Sequence, residues 1–130
     1  MSIPPLNRIL FVEDDPDIQA VGQLALELVG GFQVMPCSSG HEALRVAPTF
    51  APDLILLDVM MPVMDGPETL RQMHALEATR TTPVIFMTAK VQRHEVEQYL
   101  ALGAVNVIAK PFDPMQLASA IREIWATYHG

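Results

Sequence analysis

The sequence predicts a three-layer α/β fold, in which a parallel sheet of five strands is covered by helices on both faces. Short apolar runs alternate five times with segments of helical periodicity, and the links between them are short. Strict alternation of this kind implies parallel strands joined by right-handed crossovers. The 130 residues fit five such units, whereas an eight-stranded barrel needs about twice this length.

Apolar runs predict the strands of the sheet. Four of them suit strands that are buried on both faces of a parallel sheet, and they lie at residues 9–12, 54–57, 84–87 and 105–109. A weaker run at residues 32–35 includes Gln33, which favours an edge strand. The five runs account for every strand of the predicted sheet.

Capping residues predict the first two helices. Asp15-Pro16 combines an N-cap with a proline in the first turn, and Gly30-Gly31 ends this helix. Five apolar positions are predicted to share its buried face: Ile18, Val21, Ala25, Leu28 and Val29. Ser39 and Glu42 have the spacing of a capping box. We expect the second helix to end before Pro48, because proline breaks the hydrogen-bond ladder.

The same signals predict three further helices. Asp65-Gly66-Pro67-Glu68 begins a helix that should run to about residue 78. The fourth should span residues 92–102 and end at Gly103, and the fifth should begin at Asp113-Pro114. The apolar stripe of the fifth helix is Leu117, Ile121, Ile124 or Trp125, and Tyr128. Five such βα units predict an open, flavodoxin-like (βα)5 sheet with strand order 2-1-3-4-5.

The composition predicts a single globular domain over residues 1–130. Half of the residues are hydrophobic and 18% are charged, as is typical of a folded chain. Fifteen acidic and eight basic residues give a net charge of −7, which argues against nucleic acid or an anionic membrane as a direct partner. Cys37 is the single cysteine, so no intrachain disulfide can form. The chain has neither a signal-peptide pattern nor an apolar run approaching about 20 residues, which predicts a cytoplasmic protein.

Polar side chains follow four of the predicted strands. Glu13-Asp14-Asp15 follows the first run, and Asp58, Thr88 and Lys110 follow three later ones. Each residue taken alone is explained as a turn or cap residue. However, the carboxyl ends of parallel strands meet at one edge of the sheet, where ligands of open α/β sheets bind. We therefore expect these side chains to form one pocket.

The charges of this pocket call for a cation. Close carboxylates raise one another's pKa or require a positive partner, and Lys110 supplies one charge against Glu13, Asp14 and Asp58. Mg²⁺ (or Mn²⁺) is the natural complement, since Mg²⁺ binds few carboxylates, keeps several waters and is commonly completed by a phosphate oxygen. A divalent ion, a lysine, a hydroxyl donor and an aspartate together suit phosphoryl transfer to a carboxylate.

Four segments, in this order and spacing, resemble the receiver domains of bacterial two-component response regulators. They are residues 9–15 (Ile-Leu-Phe-Val-Glu-Asp-Asp), residues 56–62 with Asp65-Gly66 just after, Thr88-Ala89 and Lys110-Pro111-Phe112. The resemblance covers about residues 7–127. It implies a phosphorylation-dependent signalling switch that catalyses no more than its own Mg²⁺-dependent phosphorylation and dephosphorylation. The length then predicts one receiver domain with no output domain.

The resemblance also implies a role for each acidic residue. Asp58 would be the phosphoacceptor, which takes a phosphoryl group from a histidine kinase or a phosphotransfer protein. Asp14, Asp58 and the backbone carbonyl of Met60 would bind Mg²⁺, and Glu13 would act through metal-bound water. Asp15 is expected to cap the first helix instead of binding the metal.

Lys110 and Thr88 complete the site that the resemblance implies. Lys110 would hold a phosphate oxygen, and Thr88 would donate its hydroxyl to the phosphoryl group on Asp58. An unknown downstream protein, or a second copy in a homodimer, would bind the surface of the fourth helix, fifth strand and fifth helix. No direct contact with nucleic acid or a membrane is expected.

Val107 departs from the pattern of the family. Receiver domains usually carry an aromatic residue three positions before the lysine, and its inward turn accompanies the movement of the threonine. A β-branched residue cannot make the same rotamer change. We expect the chemistry of phosphorylation to survive. The signal is expected to travel through the loop after the fourth strand or through another element, or to be weak.

Three other functions are weighed against the switch. A degenerate receiver acting as a scaffold is favoured by Val107 alone. An aspartate-nucleophile phosphohydrolase needs a second aspartate two residues after the nucleophile as its acid and base, and Met60 occupies that position. A nucleotide- or flavin-binding module needs a glycine-rich loop after the first strand, where Glu13, Asp14 and Asp15 lie instead.

Overall fold

The computed structural model describes residues 2–130 and confirms the predicted architecture. Every strand pair is parallel, and the order is β2-β1-β3-β4-β5. The strands are β1 (Arg8–Val12), β2 (Gln33–Cys37), β3 (Leu54–Asp58), β4 (Val84–Thr88) and β5 (Asn106–Ala109). The central strands β1, β3 and β4 are almost wholly buried, which explains their unbroken apolar sequences.

The helices form two layers around this sheet. They are α1 (Pro16–Leu24), extended by a π-helical turn (Ala25–Val29), α2 (Gly40–Phe50), α3 (Gly66–Ala75), followed by a 3-10 turn (Glu77–Thr79), α4 (Arg93–Ala101) and α5 (Leu117–His129). One hydrophobic core lies between the sheet and α1 and α5, and the other lies between the sheet and α2, α3 and α4. No helix within residues 2–130 is long and apolar enough to cross a membrane.

Edge position explains the burial of the two outer strands. Gln33 begins β2 at the edge of the sheet, as predicted, and this strand accommodates Pro36. The expectation that the last strand is buried on both faces is wrong, because β5 forms the opposite edge. Asn106 and Ala109 are exposed, and Val107 is half-buried.

The predicted buried face of the first helix is partly wrong. Val21, Leu28 and Val29 are exposed, whereas Gly22, Ala25 and Leu26 are buried. For Leu28 and Val29 the cause is the π-helical turn, in which Gly30 N donates to the carbonyl of Ala25, five residues earlier, at 3.2 Å. The wider turn changes the phase of the helix and brings Leu26 towards the core. Gly30-Gly31 ends the helix as predicted.

The second helix does not end before Pro48, because distant contacts stabilise its last turn. Ser39 caps α2 as predicted, and Phe50 is buried at the other end. The guanidinium of Arg8 lies 4.2 Å from the Phe50 ring centroid, and its Nε donates to the Phe50 carbonyl at 2.8 Å. This contact satisfies a carbonyl that the helix end leaves unpaired.

The ends of α3 and α5 also differ from the prediction. The third helix stops at Ala75 instead of about residue 78, because Leu76 takes an extended conformation. The fifth begins at Leu117, because the carboxylate of Asp113 accepts the N–H of Met115 and holds a separate turn. Tyr128 is exposed and lies off the apolar stripe. The fourth helix is one residue shorter at each end than predicted, because Gln92 and Leu102 are its caps.

Candidate functional site

The carboxyl ends of β1, β3, β4 and β5 bring the predicted site residues to one edge of the sheet. Glu13, Asp58 and Thr88 are 0%, 3% and 2% exposed. Asp14 is half-buried, and the side chain of Lys110 is 17% exposed. Three polar side chains with almost no solvent contact at one sheet edge distinguish this place from an ordinary turn.

Three carboxylates converge in this pocket. One oxygen each from Glu13, Asp14 and Asp58 lies within 4.8 Å of the other two. Lys110 Nζ lies 2.8 Å from Glu13 Oε1 and 3.3 Å from Asp58 Oδ1. One lysine balances one of the three negative charges, so the carboxylates have the oxygen donors and the excess charge that suit Mg²⁺.

The pocket perturbs the ionisation of Asp58 and Lys110. Burial raises the pKa of Asp58 to about 7, with a further rise from the hydrogen bond and negative charge of Glu13, while Lys110 acts in the opposite direction. Burial acts to lower the pKa of Lys110, but its contacts with Glu13 and Asp58 outweigh burial and raise it. Lys110 is therefore a permanent cation at neutral pH, and Asp58 is the acid most in need of a positive partner.

The turn after β1 holds Glu13 and separates it from the helix cap. Glu13 N donates to the Cys37 carbonyl at 2.9 Å, and Asp15 N donates to Glu13 Oε2 at 3.1 Å. Asp15 Oδ1 accepts the N–H groups of Asp17 and Ile18 at 2.9 and 3.2 Å. Asp15 is therefore the N-cap of α1, as the sequence predicts.

Gln19 is a positioning residue that the sequence analysis missed. Its Nε2 donates to the carbonyls of Glu13 and Cys37, both at 3.0 Å. One side chain thus ties the start of the acidic turn to the end of β2. A glutamine one turn into a helix looks like any solvent-facing residue in the sequence, and no local pattern marks it.

Gly66 lets the first turn of α3 approach the strand that carries Asp58. A Cβ at this position would lie 2.5 Å from the Asp58 carbonyl oxygen and 2.8 Å from Val59 Cα. Gly66 N instead donates to the Val59 carbonyl at 2.8 Å. The predicted helix start at Asp65-Gly66 therefore has a second role, which is to close the loop after β3.

The loops after β3 and β4 border the mouth of the pocket. Met60 is 63% exposed there. Thr88 Oγ1 accepts the backbone N–H of Lys90 at 3.0 Å, which ties the buried hydroxyl to the loop that leads into α4. The side chain of Lys90 is itself exposed. Thr88 is thus both a pocket residue and a support of this loop.

The open parallel sheet in the order 2-1-3-4-5 defines a flavodoxin-like domain, and its buried aspartate, acidic cluster and lysine form a candidate phosphoryl-transfer site. Comparison with known families gives the finer assignment. The family model for the response regulator receiver domain matches residues 9–122. The chain belongs to this family, and it is a receiver domain of the two-component response regulators.

Known relatives agree with this assignment. The alkaline phosphatase synthesis transcriptional regulatory protein PhoP of Bacillus subtilis is 37% identical over 118 residues, which are 91% of this chain and 48% of the relative. The chain spans about half the length of the curated relatives it matches first. The chemotaxis protein CheY4 of Vibrio cholerae has a TM-score of 0.85 at 28% identity, with 92% of this chain and 99% of that chain covered.

A third relative is similar in fold and was solved with a metal. The receiver domain of the sensor histidine kinase PA1611 of Pseudomonas aeruginosa has a TM-score of 0.81 at 32% identity, covering 94% of this chain and 99% of that one. Its crystal structure has a magnesium ion coordinated in the active-site cleft. Receiver domains bind Mg²⁺ in an acidic site, are generally signalling proteins and not enzymes, and work with histidine kinases or phosphotransfer proteins.

Proposed function

We propose that Asp58 accepts a phosphoryl group from the phosphohistidine of a histidine kinase or phosphotransfer protein. The observation that carries the proposal is the burial of Asp58 in contact with Lys110, which also pairs with Glu13. A carboxylate oxygen of Asp58 attacks phosphorus, so that an O–P bond forms and the N–P bond breaks. The electron pair of that bond stays on the imidazole nitrogen of the donor, and the product is an aspartyl phosphate.

Mg²⁺, or Mn²⁺ in its place, fits the donor set of the pocket. Asp14, Asp58 and the backbone carbonyl of Met60 would hold the ion, and Glu13 would contact it through water. The fit rests on the 4.8 Å cluster of three carboxylates with one lysine. The bound ion supplies charge neutralisation for the phosphoryl oxygens. A positive charge beside Asp58 also favours the ionised carboxylate, which is the nucleophilic form.

Lys110 and Thr88 are proposed to hold the transferred group. Lys110 Nζ is 3.3 Å from Asp58 Oδ1, so it can donate to an oxygen of a phosphoryl group on that carboxylate. The Thr88 hydroxyl ends the neighbouring strand β4, and it can donate its proton to a second oxygen. Fixed donors at the developing charge need no reorganisation during the reaction.

An apolar pocket beside Lys110 suits the docking of the phosphodonor. It has a volume of about 480 Å³ between α1 and the loop after β5, and its lining includes Ile18, Val21, Ala89 and Phe112. The exposed position of Val21, which the sequence did not predict, belongs to this surface. We infer that an apolar helix surface of the donor packs here and directs its phosphohistidine towards Asp58.

The state of Asp58 is proposed to be relayed through protein contacts. Residues 7–127 act as one receiver unit in a cytoplasmic protein, and α4, β5 and α5 form the surface for a downstream protein or for a second copy of the domain. The chain carries a net charge of −7, so direct binding of nucleic acid is not proposed for this domain.

The rival functions have less support. A scaffold that never becomes phosphorylated has no need of three buried or half-buried acids around a lysine, which are costly to keep together. A phosphohydrolase lacks its second aspartate, because the exposed Met60 occupies that position. The switch therefore remains the function that the pocket supports best.

Intact-mass measurement tests the proposal. The protein is incubated with Mg²⁺ and acetyl phosphate, beside an Asp58→Asn variant and an Asp17→Asn control, since Asp17 is exposed outside the acidic cluster. We expect a labile gain of one phosphoryl group in the wild type and the control, and no gain in Asp58→Asn or without Mg²⁺. A gain that persists in Asp58→Asn would refute the assignment. No gain under any condition would favour the scaffold, and rapid turnover of a phosphomonoester would favour the hydrolase.

A further inference from the structure

Tyr99 of α4 brings an aromatic ring to the region where Val107 lies. Val107 is the register partner of Phe86 across β4 and β5, and both belong to the core beneath α2, α3 and α4. The half-buried Tyr99 packs edge-on against Phe86, with ring centroids 5.4 Å apart and an interplanar angle of 69°. The aromatic ring beside position 107 thus comes from a helix, and not from β5.

An open cavity lies beside this ring, between the loop that follows Asp58 and the loop that leads into α4. It has a volume of about 570 Å³, and it is lined by Val59, Met60, Pro62, Asp65, Lys90 and Tyr99, among others. A cavity of about 150 Å³ is large enough to hold benzene. The open space between the loop after Asp58 and α4 is therefore large enough for an aromatic ring.

Thr88 links the phosphorylation site to the same cavity. Its Oγ1 accepts the N–H of Lys90 at 3.0 Å, and Lys90 lines the cavity together with Tyr99. A shift of the Thr88 side chain towards a phosphoryl group on Asp58 would weaken this bond and free the loop between β4 and α4. The change then reaches the wall of the cavity that Tyr99 shares.

We propose that Tyr99 is the side chain that converts phosphorylation of Asp58 into a change on the surface of α4. In the phosphorylated protein, its ring turns from the edge of Phe86 into the cavity between the loops after β3 and β4. Tyrosine can do this because rotation about its first two side-chain torsions moves the whole ring, whereas Val107 is stiff. The inference rests on the proposed function, since it needs the phosphoryl group on Asp58.

Fluorine NMR tests this role directly. Tyr99 and Tyr128 are the two tyrosines of the chain, so labelling with 3-fluorotyrosine yields two resonances, which Tyr99→Phe and Tyr128→Phe assign. Tyr128 lies at the far end of α5 and serves as the internal control. On addition of Mg²⁺ and acetyl phosphate, we expect the Tyr99 resonance to change several times more than that of Tyr128. Asp58→Asn should abolish this change.

Intact mass, recorded on the same samples, separates the two proposals. A gain of one phosphoryl group with a static Tyr99 resonance, or with an equal change at Tyr128, would overturn the role of Tyr99 and leave the proposed function standing. No gain in mass would overturn both. A Thr88→Ala variant that gains the phosphoryl group should lose the Tyr99 change, and persistence of the change in that variant would refute the route through Thr88.

Discussion

Replacement of Asp58 by asparagine should stabilise the metal-free domain at alkaline pH. Burial and the neighbouring Glu13 raise the pKa of Asp58 from its ordinary value of 3.8 to about 7. A folded state with a raised acid pKa binds protons more tightly than the unfolded state. The contribution of Asp58 to the unfolding free energy is therefore fully present below about pH 4, and it is lost as the pH rises to about 7. Asparagine at position 58 has no proton to lose, so the variant avoids this loss.

The pKa of Asp58 sets the size of the effect. One pKa unit corresponds to about 1.4 kcal/mol, so the rise in the pKa of Asp58 corresponds to a difference of about 4 kcal/mol in unfolding free energy above pH 7. With a urea m-value of about 2 kcal/mol/M, the unfolding midpoint should move by about 2 M. The difference should shrink to less than about 1 kcal/mol near pH 4, where the wild-type carboxyl is protonated in the folded state and about half protonated in the unfolded state.

Urea unfolding in EDTA at pH 4 and pH 8 measures this difference. Asp17→Asn is the matched control, because it removes an exposed aspartate outside the acidic cluster, and its midpoint should follow the wild type at both pH values. Excess Mg²⁺ at pH 8 should narrow the gap, since the ion stabilises the form that binds it and the variant lacks one carboxylate. If the wild type and Asp58→Asn had equal urea midpoints at pH 8, or if their midpoints differed as much at pH 4 as at pH 8, the electrostatic reasoning would be refuted.

Three further predictions concern the supports of the site and the fold. Gln19→Ala removes two hydrogen bonds to carbonyls. It should lower the unfolding free energy by about 1–3 kcal/mol and weaken Mg²⁺ binding in a calorimetric titration. The control Gln98→Ala changes an exposed residue and should do neither, so equal behaviour of the two variants would contradict the positioning role of Gln19. Gly66→Ala places a Cβ 2.5 Å from the Asp58 carbonyl oxygen, so it should lower the unfolding free energy by about 1–3 kcal/mol and slow the phosphorylation of Asp58. An unchanged midpoint of thermal unfolding would show that the loop adapts. Ala51→Gly relieves a left-handed residue with φ of 53°, and it should raise the unfolding free energy by about 0.5–1 kcal/mol; a lower urea midpoint would contradict this.

Local signals predicted the elements well because burial and capping act over a few residues. The sequence predicts the apolar runs of β1, β3 and β4 and the cap residues Asp15 and Asp65, and the structure has them where expected. The failures come from contacts between distant segments. Arg8 stabilises the end of α2 past Pro48.

Two other failures have the same origin. The π-helical turn after α1 rotates its apolar residues, so that Leu26 reaches the core while Leu28 stays exposed. Edge position leaves β5 half-exposed, although its sequence is apolar. The local sequence does not specify the phase of a helix after an irregular turn. It also does not specify which strand lies at an edge of the sheet.

For the site, the order of strands and polar residues along the chain is enough to predict which side chains lie at the pocket, because parallel strands place their carboxyl ends at one edge. The interactions among these groups depend on the folded structure. The ion pair of Lys110 and Glu13 joins residues 97 positions apart, the burial of Asp58 depends on every strand around it, and Gln19 and Tyr99 reach the site region from helices. Charge, pKa and coupling depend on distances between segments that are far apart in the chain, and folding is what brings those segments together.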